Sequence, residues 1–265
     1  MTLPISALLT SLPLSVEDGL IELANLGFSH VDLVALDERP APHLDALAES
    51  GLIVSCVALG RELPPEHALD AESRTLRSET VTFIRRQIND AAYLGATHAY
   101  LVPGSNDSES GRAYFSEGCK ILSEIAADRM IQLCVEHMPG SWLHSAAGTL
   151  LWLEREKLHE TKLLLDVGHC LISEEVPAAI VHEAGERLGY VHMDDNDGEN
   201  DLHWALLKGR LTQSTLERTV EALIDQQYNH CLSLELKPEH TNRKDLVEGK
   251  RLLERICYGS SLESS

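Results

Sequence analysis

The chain has 265 residues and a formal net charge of −20, with 42 acidic against 22 basic side chains. That balance removes nucleic acid from the expected partners, because neutralising phosphates needs clustered Lys and Arg, and it also disfavours an anionic bilayer. With 43% apolar and 24% charged residues the composition is that of a globular chain, no run of about 18 apolar residues is available to span a membrane, and the length suits one barrel domain over residues 1–265.

Short apolar strands alternate with helical stretches along the sequence, the order expected of parallel βαβ units, and eight such units can be counted. The first strand is Ile5 to Thr10, followed by a helix opening at Ser15, with Glu17 and Asp18 in its first turn, and closed by Gly27. The second strand, His30 to Ala35, precedes a short helix over Leu44 to Glu49. The third, Leu52 to Leu59, runs into an excursion, GRELPPEHALDAES, that reads as a lid. A helix from Thr75 to Tyr93 ends at Gly95, and the fourth strand, Thr97 to Val102, stops at Pro103 and Gly104. Glu109 to Asp128 is the fourth helix. The fifth strand, Ile131 to Glu136, is broken by Pro139. The sixth, Lys162 to Leu165, ends in Asp166, Gly168 and His169. After a helix over Pro177 to Glu186 come the seventh strand, Leu188 to Met193, the eighth, Cys231 to Leu236, and a last helix, Arg243 to Ile256. The class is therefore α/β, a (β/α)₈ TIM barrel.

Six cysteines, Cys56, Cys119, Cys134, Cys170, Cys231 and Cys257, are scattered without a CxxC pair. This is the pattern of reduced thiols in a cytoplasmic protein, and the first residues lack the basic region of a signal peptide.

In such a barrel the active site lies where the C-terminal ends of the strands converge. The last four strands each finish with a metal-competent side chain: Glu136, Asp166, His192 and Glu235. Three bare carboxylates there repel one another, and a divalent cation relieves that repulsion. Three oxygen donors and one imidazole favour Mn²⁺, with Mg²⁺, Co²⁺ and Zn²⁺ as alternatives. The competing readings are ordinary ones. A single strand-end acid is often a loop acid or a helix cap, and the apolar neighbours of His192 also suit a core histidine. His137 points away from Glu136 and reads as structural, and Cys170 reads as packing.

The segments VEHMPG, LLDVGH, VHMDD, DLHWALLKG and LSLELKP resemble the xylose-isomerase-like superfamily of sugar isomerases and epimerases, whose relatives include D-tagatose 3-epimerase and endonuclease IV. The resemblance follows the whole chain in strand order, with the specific motifs in its second half. It implies that Glu136, Asp166, His192 and Glu235 hold the metal, and that His169, in the family's Asp-x-x-His element, touches substrate. Moving a carbonyl along a sugar, or inverting the carbon beside it, requires removal of an α-proton. Glu136 and Glu235 are the expected acid–base pair, with the metal as Lewis acid.

His203, Lys237 and Trp142 join His169 as candidates for substrate binding, and Trp204 covers the sugar or anchors its loop. The expected partner is a small, sugar-like substrate, and related barrels pairing through surface helices leave a homo-oligomer open.

Departures from the family pattern bear on the substrate. Gly198 stands near the place of the arginine that sugar 3-epimerases carry after their metal histidine, and Leu206, Leu207, Lys208 and Gly209 replace Leu-Gly-x-Gly. No glycine-rich phosphate cradle is present. The same site also suits a dehydratase or lyase. An endonuclease IV-like nuclease is suggested by Asp201 and His203 but disfavoured by acidity and by a fourth strand whose His98 stands at the wrong end. A non-catalytic, metal-binding barrel is the remaining alternative.

Overall fold

The computed structural model describes residues 3–263, with side chains through residue 259. Eight parallel strands close on themselves in sequence order: β1 (Ile5–Leu8), β2 (His30–Val34), β3 (Ile53–Ala58), β4 (His98–Leu101), β5 (Gln132–Glu136), β6 (Lys162–Asp166), β7 (Leu188–Met193) and β8 (Leu232–Leu234). Pairing of β8 back to β1 through Ile5 with Leu232 and Ala7 with Leu234 completes the barrel. The strands are nearly all buried, as expected where helices cover the outside and side chains fill the inside.

Outside the strands, and between the barrel and the helices, a continuous apolar layer runs from Leu3 to Cys257. Inside, a smaller cluster of Cys56, Ala58, Tyr100, Cys134, Leu164, Tyr190 and Cys231 fills the barrel axis. All six cysteines are buried, and none forms a disulfide among the described residues. No helix among the described residues is long and apolar enough to cross a membrane.

The helices follow local capping chemistry. The α1 helix (Val16–Asn25) is capped by Ser15, whose hydroxyl accepts from Asp18 N–H at 3.1 Å, and Gly27 takes φ +82° as the chain turns away. The α2 helix (Ala41–Ser50) begins earlier than the apolar pattern suggests, because Pro42 sits in its first turn, where a missing N–H costs nothing. The α3 (Arg74–Tyr93) and α4 (Glu109–Ala127) helices match expectation, with Ser73 and Ser108 as caps.

Three helices were not foreseen: α5 (Ala146–Arg155), α6 (Val167–Ile172) and α8 (Gln213–Asp225). The α7 (Pro177–Ala184) and α9 (Arg243–Glu263) helices complete the shell.

Two expectations change. The eighth strand stops at Leu234, so Glu235 and Leu236 lie just beyond the sheet, where Leu236 N–H donates to Ser11 Oγ at 3.0 Å. The excursion after β3 is tied down rather than a free lid. Its Asp70 is 2% exposed and accepts from Asn106 N–H at 2.6 Å, while Asn106 Nδ2 donates to the Asp70 carbonyl at 2.9 Å.

Candidate active site and metal centre

Parallel register brings the strand tips level: Asp166 on β6 is paired with His192 on β7, and His192 in turn with Ser233 on β8. Glu136 closes β5, and Glu235 follows β8. One ligand atom from each of Glu136, Asp166, His192 and Glu235 lies within 4.8 Å of the others. The imidazole is the pivot. Its Nδ1 lies 3.2 Å from Glu136 Oε1 and in contact with Glu235 Oε2, and its ring is held edge-on between Tyr100 and Tyr190, at 5.2 and 5.9 Å between centroids.

The electrostatics are those of a site crowded with like charge. Burial would keep His192 neutral, but Glu235 and Glu136 against its Nδ1 push its pKa well above the ordinary value. Burial, and then Asp194, push Asp166 up to about 7. Burial would also raise Glu235, yet His192, His203 and Arg61 hold it below the usual carboxylate range. Glu136 Oε2, Asp166 Oδ2 and His192 Nε2 are buried without hydrogen-bond partners. Three oxygen donors and one imidazole, with orphaned atoms among them, fit a divalent cation, whose charge would remove the repulsion that protons now relieve.

Asp166 has a second task. Its Oδ1 accepts from His169 N–H at 2.7 Å and so caps α6, which makes the Asp-x-x-His spacing a helix N-terminus as well as a ligand arrangement. His169 Nδ1 then reaches the His137 carbonyl at 2.8 Å, which leaves Nε2 facing Asp201 Oδ1 at 3.2 Å. His137 itself accepts from Asp166 N–H through Nε2 at 3.2 Å, and burial holds its pKa far below normal, so it remains a neutral strut behind the site.

His203 completes this wall, with Nδ1 2.8 Å from Asp194 Oδ2 and Nε2 2.8 Å from Asp201 Oδ1. It stands at φ +43°, a strained conformation for a side chain of this size, and its carbonyl is fixed by Lys237 N–H at 3.0 Å. Burial would lower both imidazoles, but Asp166 and Asp201 raise His169 to about 10, and Asp194 and Asp201 raise His203 to about 12. Two further groupings at metal-ligand spacing result, His169–Asp201–His203 and Asp166–Asp194–His203. In the first, Lys237 Nζ already sits against Asp201, bonding its carbonyl and lying 3.5 Å from Oδ2.

Above these residues opens a cavity of about 760 Å³, lined among others by Thr10, Val34, Arg61, Tyr100, Glu136, His169, His203, Glu235 and Lys237. A volume of that order accepts a small polar molecule.

Residues 20–256 match the family of xylose isomerase-like TIM barrels. The chain belongs to that family. Among solved structures, a D-tagatose 3-epimerase-like protein superposes with a TM-score of 0.81 at 19% identity, over 100% of both chains. An L-ribulose 3-epimerase gives 0.79 at 18% identity, over 100% of this chain and 99% of that one. A 3-keto-D-glucoside 4-epimerase from E. coli gives 0.75 at 16%, over 95% and 99%. At such identities the likeness is one of fold. An uncharacterized protein of Methanocaldococcus jannaschii is 21% identical over 159 residues, which is 58% of this chain and 62%, under two thirds, of that one.

Within this xylose isomerase-like barrel, His169, His203 and Lys237 line the same cavity as Glu136 and Glu235. Trp142 does not. It packs edge-on to Phe115 and Trp152, at 5.8 and 5.6 Å, against the apolar layer outside the barrel. It lies within the turn Met138–Leu143, closed by Met138 N–H to the Leu143 carbonyl at 2.8 Å. The backbone of Trp204 exchanges bonds with that of Asp195 at 2.6 and 2.9 Å, which ties its loop to the chain after β7.

Arg61, Tyr100 and Asp194 were missed. Arg61 begins the excursion after β3, lies 5.7 Å over the Tyr100 ring and comes within 3.9 Å of Glu136 Oε2. Asp194 was legible in principle, since it stands two residues beyond His192 and so on the same face of the chain. It accepts from Gly168 N–H at 2.8 Å, and Gly168 has no room for a side chain, because a Cβ would lie 2.2 Å from that carboxylate. The β3 and β4 side of the cavity carries Arg61 and Tyr100 and no histidine, while His98 is buried at the opposite end of β4, against His230.

Proposed function

We propose that this protein is a divalent-metal-dependent isomerase or epimerase of a small, unphosphorylated sugar or related keto-hydroxy compound, with Glu136, Asp166, His192 and Glu235 as its metal ligands. The observation that carries the reading is the convergence of Glu136 and Glu235 on one imidazole at the floor of a sugar-sized cavity. Sugar epimerases among its structural neighbours support it at the level of the family. A bound divalent ion supplies Lewis-acid polarisation of the substrate carbonyl, and the ligand set suits Mn²⁺ first.

The remaining work falls to the chain's own groups. One glutamate takes the proton from the carbon next to the carbonyl, and the other returns one to the neighbouring position or the opposite face. Tyr100 and Tyr190 fix the His192 ring and keep the floor dry. His169, His203 and Lys237, oriented through Asp201, hold substrate hydroxyls. Arg61 faces the opposite wall, where it steadies Glu136 and any negative charge that develops on the substrate oxygens.

Exchange of solvent deuterium into ketoses, followed by NMR, tests the reading without knowledge of the true product. The metal-loaded protein incorporates deuterium next to the carbonyl, chelation abolishes the exchange, and Mn²⁺ or Co²⁺ restores it. Full exchange in thoroughly metal-free protein would reject the reading.

A further inference from the structure

A second cavity, of about 620 Å³, opens beside the first, between the chain ends following β1 and β2. Thr10 and Val34 line both, so the two chambers lie side by side with a shared wall. The second chamber has an apolar floor made by Leu9, Leu33 and Leu36, with polar groups at its edges.

Those polar groups define what it can hold. The Arg39 guanidinium is committed to Asp90, at 3.0 and 2.7 Å, and to the Val34 carbonyl at 2.8 Å, and Asp37 is paired with Arg86. Glu38 and Glu62 make no ion pair among the described residues, and His43 keeps a buried Nδ1 without a partner while its Nε2 lies 3.6 Å from Glu17. Free carboxylate acceptors and an apolar floor suit the hydroxyls and ring face of a neutral sugar. The same acids repel a phosphate or a carboxylate.

We infer that the substrate has two parts, a keto sugar over Glu136 and Glu235 and a neutral sugar unit linked to it that occupies the chamber of Leu36, Glu38, His43 and Glu62. This rests on the reading of the first cavity as a sugar site. A lone monosaccharide would leave the chamber to water and forgo the binding energy that a remote group lends to the reacting end.

The test compares D-fructose with two keto-disaccharides, lactulose and isomaltulose, on the Mn²⁺-loaded full chain. Solvent-deuterium exchange gives kcat/KM for each, and saturation-transfer NMR or calorimetry gives the affinity independently of turnover. At least one disaccharide is expected to exceed fructose tenfold in kcat/KM and in affinity. Leu36→Trp, which fills the chamber, lowers the disaccharide-to-fructose ratio toward one, and the milder pair Glu38→Ala and Glu62→Ala lowers it severalfold without adding bulk. Equal affinities for fructose and both disaccharides, or a ratio unmoved by all three variants, overturns the two-part substrate. Tighter disaccharide binding that the variants abolish, with no deuterium exchange into any sugar, upholds the chamber and sinks only the isomerase reading.

Discussion

At the base of the barrel His98 and His230 pack ring against ring, 4.3 Å apart, with Tyr190 5.3 Å from His98; the nearby buried Asp32 accepts from the Tyr190 hydroxyl at 2.9 Å and not from either imidazole. Burial, with His230 and Lys162 adding to it, drives His98 down to about 3, so it is a neutral aromatic that happens to contain nitrogen. At the mouth the same residue type is surrounded by acids, and His169, His192 and His203 are all pushed up in pKa although each is buried. Burial acts in one direction at both ends. What differs is the company: at the mouth the imidazoles face carboxylates, whereas the buried Asp32 deeper in the barrel accepts from the Ser55 and Tyr190 hydroxyls.

The sharpest way to break the contrast is to disarm the mouth. Glu136→Gln and Glu235→Gln each remove an acid–base group and are expected to lower exchange into a ketose by about 10³-fold. Glu136→Gln is expected to leave the urea midpoint of the metal-free protein nearly unchanged, whereas Glu235→Gln lowers it, because the Glu235 carboxylate is held ionised by His192, His203 and Arg61. A large loss of stability in the Glu136 variant, or retained exchange in both, would count against these acids as a ligand set.

Metal binding separates the two ends next. Mn²⁺ at about 100 times its dissociation constant is expected to add about 2.7 kcal/mol to unfolding stability, and Asp166→Asn to remove most of that gain. Asp166 at about 7 and His192 above its ordinary value both carry protons that a cation must displace. Affinity therefore rises as pH goes from 5 to 8, with proton release visible when calorimetry is repeated in two buffers of different ionisation enthalpy.

The base has the opposite signature, independent of metal. His98 titrates at about 3 in the folded chain and near 6.5 when unfolded, so on acidification the unfolded state takes up the proton first. Its contribution is fully present above pH 6.5 and is lost as the pH falls toward 3, on the order of 1–2 kcal/mol by pH 5. Urea midpoints measured with chelator at pH 7 and pH 5 reveal the loss, and His98→Gln flattens part of it. The remaining slope sums His137, His230 and His30, which burial also holds down, against Asp166, whose raised pKa adds stability on acidification, so the difference between wild type and His98→Gln is what isolates His98.

How far the sequence showed this contrast depends on which part of a strand a residue occupies. All eight strands were readable because buried parallel strands are short apolar runs between breakers, and Glu136, Asp166, His192 and Glu235 stood out as polar residues ending such runs. Asp166 also proved to be a helix cap, the ordinary alternative to a ligand, and its other oxygen is left without a partner. The α8 helix carried the same signals as those recognised, a Thr212 cap and apolar Leu216, Val220 and Leu223 at helical spacing, in a stretch dominated by polar residues. Arg61 was hidden for a different reason. It belongs to an irregular segment with no period, and its approach to Glu136 depends on how Asp70, Leu69 and Asn106 fold that segment back. Loop placement is a tertiary property, and a spacing rule does not reach it.

Trp142 gives the smallest expected effect and the cleanest separation of site from scaffold. It follows Glu136 by only six residues, yet it faces Phe115 and Trp152 outside the barrel, with Arg112 5.5 Å over its ring. Its Nε1 is buried without a partner, so replacing it by a smaller ring breaks no hydrogen bond. Trp142→Phe is therefore expected to cost about 1 kcal/mol of stability through lost packing and to change kcat/KM for any exchanging ketose by less than about twofold. A tenfold fall in kcat/KM at unchanged urea midpoint would return Trp142 to the substrate, and the Met138–Leu143 turn would then have to open in solution to let it reach there.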